Sequence, residues 1–169
     1  TNNKYNDLIL NESPQPIIDQ REYKISPINI DNNETKSDIL VFFENELDFQ
    51  SFNIDSYKKI YCILLTNEER QVELGDKVLE YKKRLIKNQL KNADLKIEFI
   101  EGNKFIGLSN NEQDFDVIYP SVGENMSFLK RVIKKNNLII NYLTRDEDKY
   151  CWQFSNKGYF NFKSNIPKI

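Results

Sequence analysis

Histidine is absent from this 169-residue chain, and glycine, cysteine and alanine are scarce. Without an imidazole, neither a Ser-His-Asp nor a Cys-His proton relay can form. Zinc sites that use histidine are excluded for the same reason, and two cysteines cannot supply a four-cysteine site. Any catalysis by this chain would therefore depend on carboxylates, lysine, tyrosine, cysteine or a bound metal.

The five glycines are scattered along the chain. The sequence contains no Gly-x-x-x-x-Gly-Lys-Ser/Thr loop and no Gly-x-Gly-x-x-Gly turn, the two patterns that hold phosphate groups on backbone amides. A Gly-x-Ser-x-Gly nucleophile turn is missing as well. These absences favour binding over catalysis, and we predict no cofactor and no metal site.

Long apolar runs are missing too. The longest, Ile39–Phe43 and Ile60–Leu65, fall far short of the roughly 20 residues that a membrane helix needs. Residues Thr1–Tyr5 lack the apolar core of a signal peptide. Cys62 lies in an apolar run and Cys151 beside the only tryptophan, and both are expected to be reduced, although the sequence leaves a disulfide between them open. We therefore predict a cytoplasmic location and no membrane partner.

The residues that are abundant indicate a folded domain. Aromatic residues make up 12% of the chain, which argues against global disorder, and 169 residues fit a single domain. Asparagine, isoleucine and lysine are plentiful while Ala93 is the only alanine, a bias typical of a low-GC genome. The domain is predicted to span residues 1–169, with an irregular segment over 1–20 because Pro14 and Pro16 interrupt regular structure.

Short apolar and alternating segments predict a sheet of about six to eight strands. A tight turn at Gly102-Asn103 and another at residues 156–158 favour antiparallel hairpins. The segment 22–30 is expected to be an edge strand that Pro27 interrupts. The other strand-like segments are 38–43, 57–66, 95–99, 104–108, 115–119, 138–144, 150–154 and 159–163.

Two capping boxes predict two amphipathic helices. Thr66 to Glu69 opens a long helix to about Lys91, and Ser121 to Glu124 opens a short one that ends near Asn136. The long helix is expected to bury Leu74, Leu79, Leu85, Ile86 and Leu90 together with Val78 and Tyr81, and the short helix Met126, Leu129, Val132 and Ile133. The fold class predicted is α+β: a mainly antiparallel mixed sheet with one long and one short amphipathic helix.

A metal-dependent carboxylate enzyme is one alternative. Asp114 and Asp116 lie on one face of a predicted strand and would hold Mg²⁺ together with Glu98 or Glu101, for work on phosphodiester or nucleotide substrates. The segment Glu22-Tyr23-Lys24 with Asp19 also has the local form of a nuclease motif. A spacing of three positions from Asp19 to Glu22 leaves no room for the separate strand that usually supplies the first ligand, so a solvated strand edge is the simpler interpretation.

The net charge of −2 conceals an uneven distribution. Residues 1–56 carry −7, whereas residues 57–104 carry +3 and residues 105–169 carry +2. The basic residues near Lys82–Arg84 share their helix with acids, so we expect no nucleic-acid partner. An acidic stretch with interspersed aromatics can steer a basic protein and then anchor in its pockets. The predicted contact residues are Glu44, Glu46, Asp48, Phe49, Phe52 and Asp55.

The leading hypothesis is a non-catalytic cytoplasmic protein that binds a basic protein partner through this acidic surface. An immunity-type inhibitor of a basic toxin is one concrete form of it. Besides the carboxylate enzyme, an accessory domain of a longer polypeptide is the other alternative. The sequence carries no signal for the oligomeric state.

Overall fold

A computed structural model describes residues 36–49, 51–91, 96–154 and 159–166. Strands and helices alternate through most of this part of the chain, with a short 3-10 turn at Ile54–Ser56. The elements in chain order are β1 Ile39–Phe43, β2 Lys59–Leu64, α1 Asp76–Lys91, β3 Ile97–Glu101, α2 Gly102–Leu108, β4 Asp114–Ile118, α3 Glu124–Asn136, β5 Ile139–Leu143, α4 Asp146–Trp152 and α5 Tyr159–Asn165.

The five strands in the described residues form a single sheet in the order β3-β2-β1-β4-β5, and every pairing is parallel. The fold is therefore α/β, and the prediction of a mainly antiparallel α+β sheet of six to eight strands is wrong. The central strand β1 is buried at all five residues, so both of its faces are covered. A continuous apolar run of this kind is typical of parallel sheets, whose crossover connections cover both faces.

Four local predictions fail together with the antiparallel sheet. The segments 104–108, 150–154 and 159–163, expected to be strands, belong largely to helices α2, α4 and α5. Gly102 begins helix α2 instead of a hairpin turn. A β-carbon at Gly102 would lie 2.9 Å from side-chain carbons of Glu69. This glycine thus serves close packing between a helix and the loop after β2, which a sequence pattern does not distinguish from a turn.

The side chains of alternating residues in the strands pack into two separate cores, one on each face of the sheet. On one face, Val41 and Phe43 of β1 pack with buried residues of α2 and α3, including Phe105 and Phe128. The opposite face contains Leu40, Phe42, Phe49, Ile54, Ile60, Cys62, Leu64, Ile86, Ile118 and Leu143. The chain between β1 and β2 thus covers the second face together with α1.

The long helix begins later and buries less than the sequence predicts. The Thr66 capping box forms, because the Thr66 N–H donates to Glu69 Oε2 at 2.8 Å, but it closes only a turn and α1 starts at Asp76. Ile86 is buried, whereas Val78 and Tyr81 are exposed. In α3, by contrast, Met126, Leu129 and Val132 are buried and Ile133 packs against the core, as predicted.

Both cysteines are unpaired, with Cys62 buried and Cys151 half-buried. Burial, aided by the charge of Glu44, raises the pKa of the Cys62 thiol well above its ordinary value. Among the described helices, none has the length and apolar character that crossing a membrane requires. The irregular segment predicted for 1–20 and the edge strand predicted for 22–30 lie outside the described residues.

Candidate functional site

The order of the strands points to the carboxyl ends of β1 and β4. The chain moves from β1 outward to β2 and β3 on one side, and to β4 and β5 on the other. In open parallel sheets, ligands bind outside the carboxyl ends of the strands, at the point where the order reverses. That point in this molecule lies between the loop that follows β1 and the loop that follows β4.

A buried carboxylate lies at this edge, directly after β1. Glu44, the residue after β1, has a side chain only 3% exposed. Its Oε1 accepts from Arg70 Nη2 at 3.0 Å and from Lys82 Nζ at 3.1 Å. Its Oε2 accepts from Asn125 Nδ2 at 3.2 Å. We call Glu44, Arg70, Lys82 and Asn125 the brace, because they tie β1 to the loop after β2 and to helices α1 and α3.

Asparagine side chains extend the brace to the loop after β4. Asn45 Oδ1 accepts from Asn125 Nδ2 at 2.8 Å, and Asn45 Nδ2 donates to the carbonyl of Pro120 at 3.3 Å. Glu124, at the start of α3, accepts from the backbone N–H groups of Gln71 and Val72 at 3.1 and 3.2 Å. The loops after β1, β2 and β4 are therefore held in one fixed arrangement.

An open cleft of about 250 Å³ lies beside the brace, at the carboxyl ends of β4 and β5. The loop after β1 forms one wall and helix α4 the other. The lining residues are Glu46, Phe52, Ile118, Tyr119, Ser121, Leu143, Thr144, Arg145, Asp148 and Trp152. Polar and aromatic side chains therefore converge on a pocket of single-side-chain dimensions.

Arg145 organises the charges of the cleft. It donates to Glu46 Oε2 at 3.0 Å, to Asp148 Oδ2 at 3.1 Å and to the carbonyl of Asp48 at 3.2 Å. The Asp48 carboxylate lies 3.5 Å from Arg145 Nε. Burial by itself lowers the pKa of Arg145, but the hydrogen bonds to Glu46 and Asp148 outweigh it and raise the pKa above its usual value. Three carboxylates thus surround one guanidinium.

Aromatic rings line the rest of the cleft. The Tyr119 ring meets the Trp152 ring edge-on, with centroids 5.5 Å apart, and meets the Tyr142 ring at 5.6 Å. Burial raises the pKa of the Tyr119 and Tyr142 phenols, so both stay neutral at physiological pH. The guanidinium of Arg145 lies 5.8 Å from the centroid of the Phe52 ring. The rings add no charge to an acidic cleft.

The loop after β4 displays an apolar residue on a strained backbone. Ser121 and Gly123 have φ angles of 58° and 123°, and Val122 between them is 90% exposed. A non-glycine residue in the left-handed region costs on the order of 1 kcal/mol. The Pro120 carbonyl, held by Asn45, keeps this loop in place. Strain that the surrounding structure maintains in this way is typical of functional sites.

The six predicted contact residues divide between the core and the cleft. Glu44 belongs to the brace, and Phe49 packs in the core against Phe42 at 5.5 Å. Glu46 and Phe52 line the cleft, and Asp48 stands at its edge beside Arg145. Asp55 is exposed in the 3-10 turn. The structure therefore brings three of the six, Glu46, Asp48 and Phe52, together around Arg145.

The carboxylates of the metal-site alternative are not brought together. Asp116 is fully buried and accepts from the Lys36 N–H, the Tyr57 hydroxyl and the Asn141 amide at 2.8–3.0 Å. Glu98 and Glu101 lie on β3, two strands beyond β1 on the other side, where they pair with Lys104 and Lys83. Within the described ranges, no group of three or more acids or cysteines could hold a metal ion. Asp19 and Glu22 lie outside those ranges.

Sequence reasoning missed the residues of the far wall, Arg145, Asp148 and Trp152. The run Asp146–Asp148 reads as a charged loop tip, and Trp152 reads as part of a strand. Arg145 directly before three acids is a signal in retrospect, because it resembles a helix start with acids in the first turn. Their meeting with Glu46 depends on the parallel strand order, since residue 46 is almost 100 residues away in the chain.

No protein-family model, curated protein or solved structure matches this chain.

Proposed function

We propose that this protein is a protein-binding domain whose contact surface is the carboxyl edge of its sheet. The supporting observation is that an acidic cleft and exposed apolar residues occur together at this edge. Val72, Val122 and Trp152 follow the carboxyl ends of β2, β4 and β5, and all three are exposed. Exposed apolar residues within a polar rim are typical of protein interfaces.

The charge of this edge specifies the chemistry of the partner. At this edge Glu46, Asp48 and Asp148 outnumber Arg145. Such an excess attracts a basic surface and accelerates association at low ionic strength. The partner is accordingly a basic protein, and inhibition of a basic toxin in the cytoplasm, as an immunity protein does, is the concrete form of the proposal.

Some of the six predicted contact residues are buried, and this limits which of them can contact a partner. Because Glu44 and Phe49 are buried, contacts with the partner at this edge fall to Glu46, Asp48 and Phe52, together with Val122 and the residues of α4. Substituting Glu44 would disturb the brace and would not report on binding. The variants that test the proposal therefore lie in the exposed loops.

A matched pair of variants tests which edge binds. The tagged 169-residue chain, its Val122→Arg variant and its Ile139→Arg variant are used to capture partners from cells of the source organism. Val122 lies at the carboxyl edge, whereas Ile139, 66% exposed, begins β5 at the amino edge. We expect one basic protein, captured in equal amount by the wild type and Ile139→Arg and lost with Val122→Arg.

Binding should also weaken steeply with salt, because charged surfaces more than about 10 Å apart are screened at 0.1 M ionic strength. The purified pair would be measured by calorimetry at several salt concentrations. Equal capture by both variants, or a partner whose affinity does not change with salt, would be evidence against the proposal.

A further inference from the structure

We propose that the cleft between the loop after β1 and helix α4 is the anchor pocket for an arginine side chain of the basic partner. This inference rests on the proposed function, since it names the group that the partner inserts. Glu46 and Asp148 would accept the guanidinium hydrogen bonds, and the guanidinium would lie against the Tyr119 and Trp152 rings, which contact each other edge-on.

The volume of the cleft favours a side chain over a free cofactor. At about 250 Å³ it is smaller than the roughly 300–1,000 Å³ of ordinary small-molecule and cofactor sites. Interfaces commonly concentrate their affinity in pockets that receive one aromatic or arginine side chain. The cleft has the size of such a pocket and lies at the edge that also displays Val122.

The charges exclude an anionic guest. Arg145, the cation among the residues that line the cleft, already donates to Glu46, Asp148 and the carbonyl of Asp48. A phosphate or carboxylate would have to displace these acceptors and would meet three carboxylates. A cation instead finds an excess of negative charge. The side chain of Asp148, 42% exposed, is open to solvent.

The shape favours arginine over lysine. A guanidinium is planar, stacks on aromatic rings and pairs with carboxylates through two parallel donors, whereas an ammonium is a compact, strongly hydrated charge. The cleft already accommodates one such group in this way, because Arg145 lies 5.8 Å from the Phe52 ring centroid while paired with Glu46 and Asp148. A second guanidinium would share those acids from the open side.

The only tryptophan of the chain, Trp152, lines the cleft and provides the readout. The 169-residue chain is titrated with N-acetyl-arginine amide, N-acetyl-lysine amide and N-acetyl-citrulline amide, while tryptophan fluorescence is recorded. Citrulline has the shape of arginine without its charge. We expect a saturable change with the arginine amide in the millimolar range, a weaker one with lysine and none with citrulline.

Two aspartates of α4 supply a matched pair of variants. Asp148 lines the cleft, whereas Asp146 is 86% exposed and does not line it. Losing one charged, partly exposed hydrogen bond should weaken the arginine amide about five- to tenfold in Asp148→Asn, with no change in Asp146→Asn. The comparison of arginine with citrulline uses the wild type alone, so it decides the matter even if Asp148→Asn unfolds.

Equal responses to arginine and citrulline, or none to either, would overturn the inference. A basic partner that binds wild type and Asp148→Asn equally would overturn it too, while leaving the proposed protein-binding function in place. Arginine amide binding in the cleft of a protein that captures no partner would have the opposite meaning: the pocket stands and the proposed function fails.

Discussion

The brace and the cleft are two ion clusters that begin only two residues apart, at Glu44 and Glu46, and they have opposite compositions. In the brace, one carboxylate is shared by two cations, Arg70 and Lys82, and both Glu44 and Arg70 are almost fully buried. In the cleft, three carboxylates share the single cation Arg145 and the outer acids are open to solvent.

This difference assigns a structural role to the brace and a role in recognition to the cleft. The buried carboxylate of the brace accepts from two cations on one oxygen and from an amide on the other, so it requires nothing from outside the molecule. The cleft has three carboxylates for one guanidinium, which leaves negative charge at the surface for a partner. Within one acidic segment, Glu44 therefore stabilises the fold, whereas Glu46 and Asp48 can contact other molecules.

The largest effect on stability is expected from a substitution that breaks the brace. Glu44→Gln keeps the shape of the side chain but leaves Arg70, 7% exposed, without its counter-charge. Removing one partner of a buried ion pair costs about 3–5 kcal/mol, and we expect the free energy of unfolding in urea to fall by that amount. Asp48→Asn, whose side chain is 64% exposed, is the control and should cost at most about 1 kcal/mol. Equal losses in both variants would show that the two clusters do not differ as described.

A smaller effect is expected at the opposite edge of the sheet, where a buried acid has neutral partners. Tyr57→Phe removes the 2.8 Å hydrogen bond to Asp116 Oδ2 and leaves the donors Lys36 N–H and Asn141 in place. Hydrogen bonds to charged groups contribute about 1.5–3 kcal/mol, so the free energy of unfolding should fall by this amount. Asp116→Asn in the Tyr57→Phe background should cost less than in the wild type, and full additivity would contradict the assignment.

The next effect depends on pH and reports on Cys62, which is buried in the core on the face of the sheet that α1 covers. Because the pKa of Cys62 is raised, the folded chain keeps this proton above pH 9 while the unfolded chain releases it. The unfolded state then binds fewer protons, so the free energy of unfolding falls as pH rises, by up to about 1.4 kcal/mol per unit between pH 9 and 10. Urea denaturation at several pH values measures this slope.

A cysteine variant assigns that slope to one thiol. Cys62→Ala should reduce it. In the native protein, an aromatic disulfide reagent should modify half-buried Cys151 and reach Cys62 only on unfolding. Rapid labelling of both thiols would mean that the core around Cys62 opens readily in the native protein.

The smallest effect is expected from an ion pair with neither burial nor a network. Glu80 and Arg84 lie 3.0 Å apart on the outer face of α1, with side chains 56% and 78% exposed. Such pairs contribute only about 0.3–0.5 kcal/mol, and alanine is the better helix former, so Arg84→Ala should change stability by no more than about 0.5 kcal/mol. A loss approaching that of Glu44→Gln would show that burial is not what distinguishes the brace.

Local patterns predict several elements well because their physical causes are local. The apolar runs at β1 and β2 identify buried strands, and the helical spacing of Met126, Leu129 and Val132 identifies the inner face of α3. The Thr66 capping box also forms its hydrogen bonds. It does not begin a helix, since α1 starts at Asp76, and its Glu69 side chain is packed against Gly102 of a distant helix.

The candidate site was only partly predictable. Acidic charge near residues 44–55 is visible in the sequence, and Glu46, Asp48 and Phe52 do lie around the cleft. Whether each of these residues is buried or exposed depends on the alternation of buried and exposed side chains along the chain and on partners far away in sequence. Glu44 meets Arg70 and Lys82, and Phe49 meets Phe42, so neither reaches the surface.

By itself, the sequence determined which chemistries are absent, which short segments are apolar enough to be buried, and where acidic charge is concentrated. Only the tertiary structure decided that the strands run parallel in the order β3-β2-β1-β4-β5 and that the acids after β1 meet Arg145 and Trp152. The physical reason is that strand pairing and ion pairing join residues far apart in the chain. Their energies depend on burial, which exists only after the sheet has assembled.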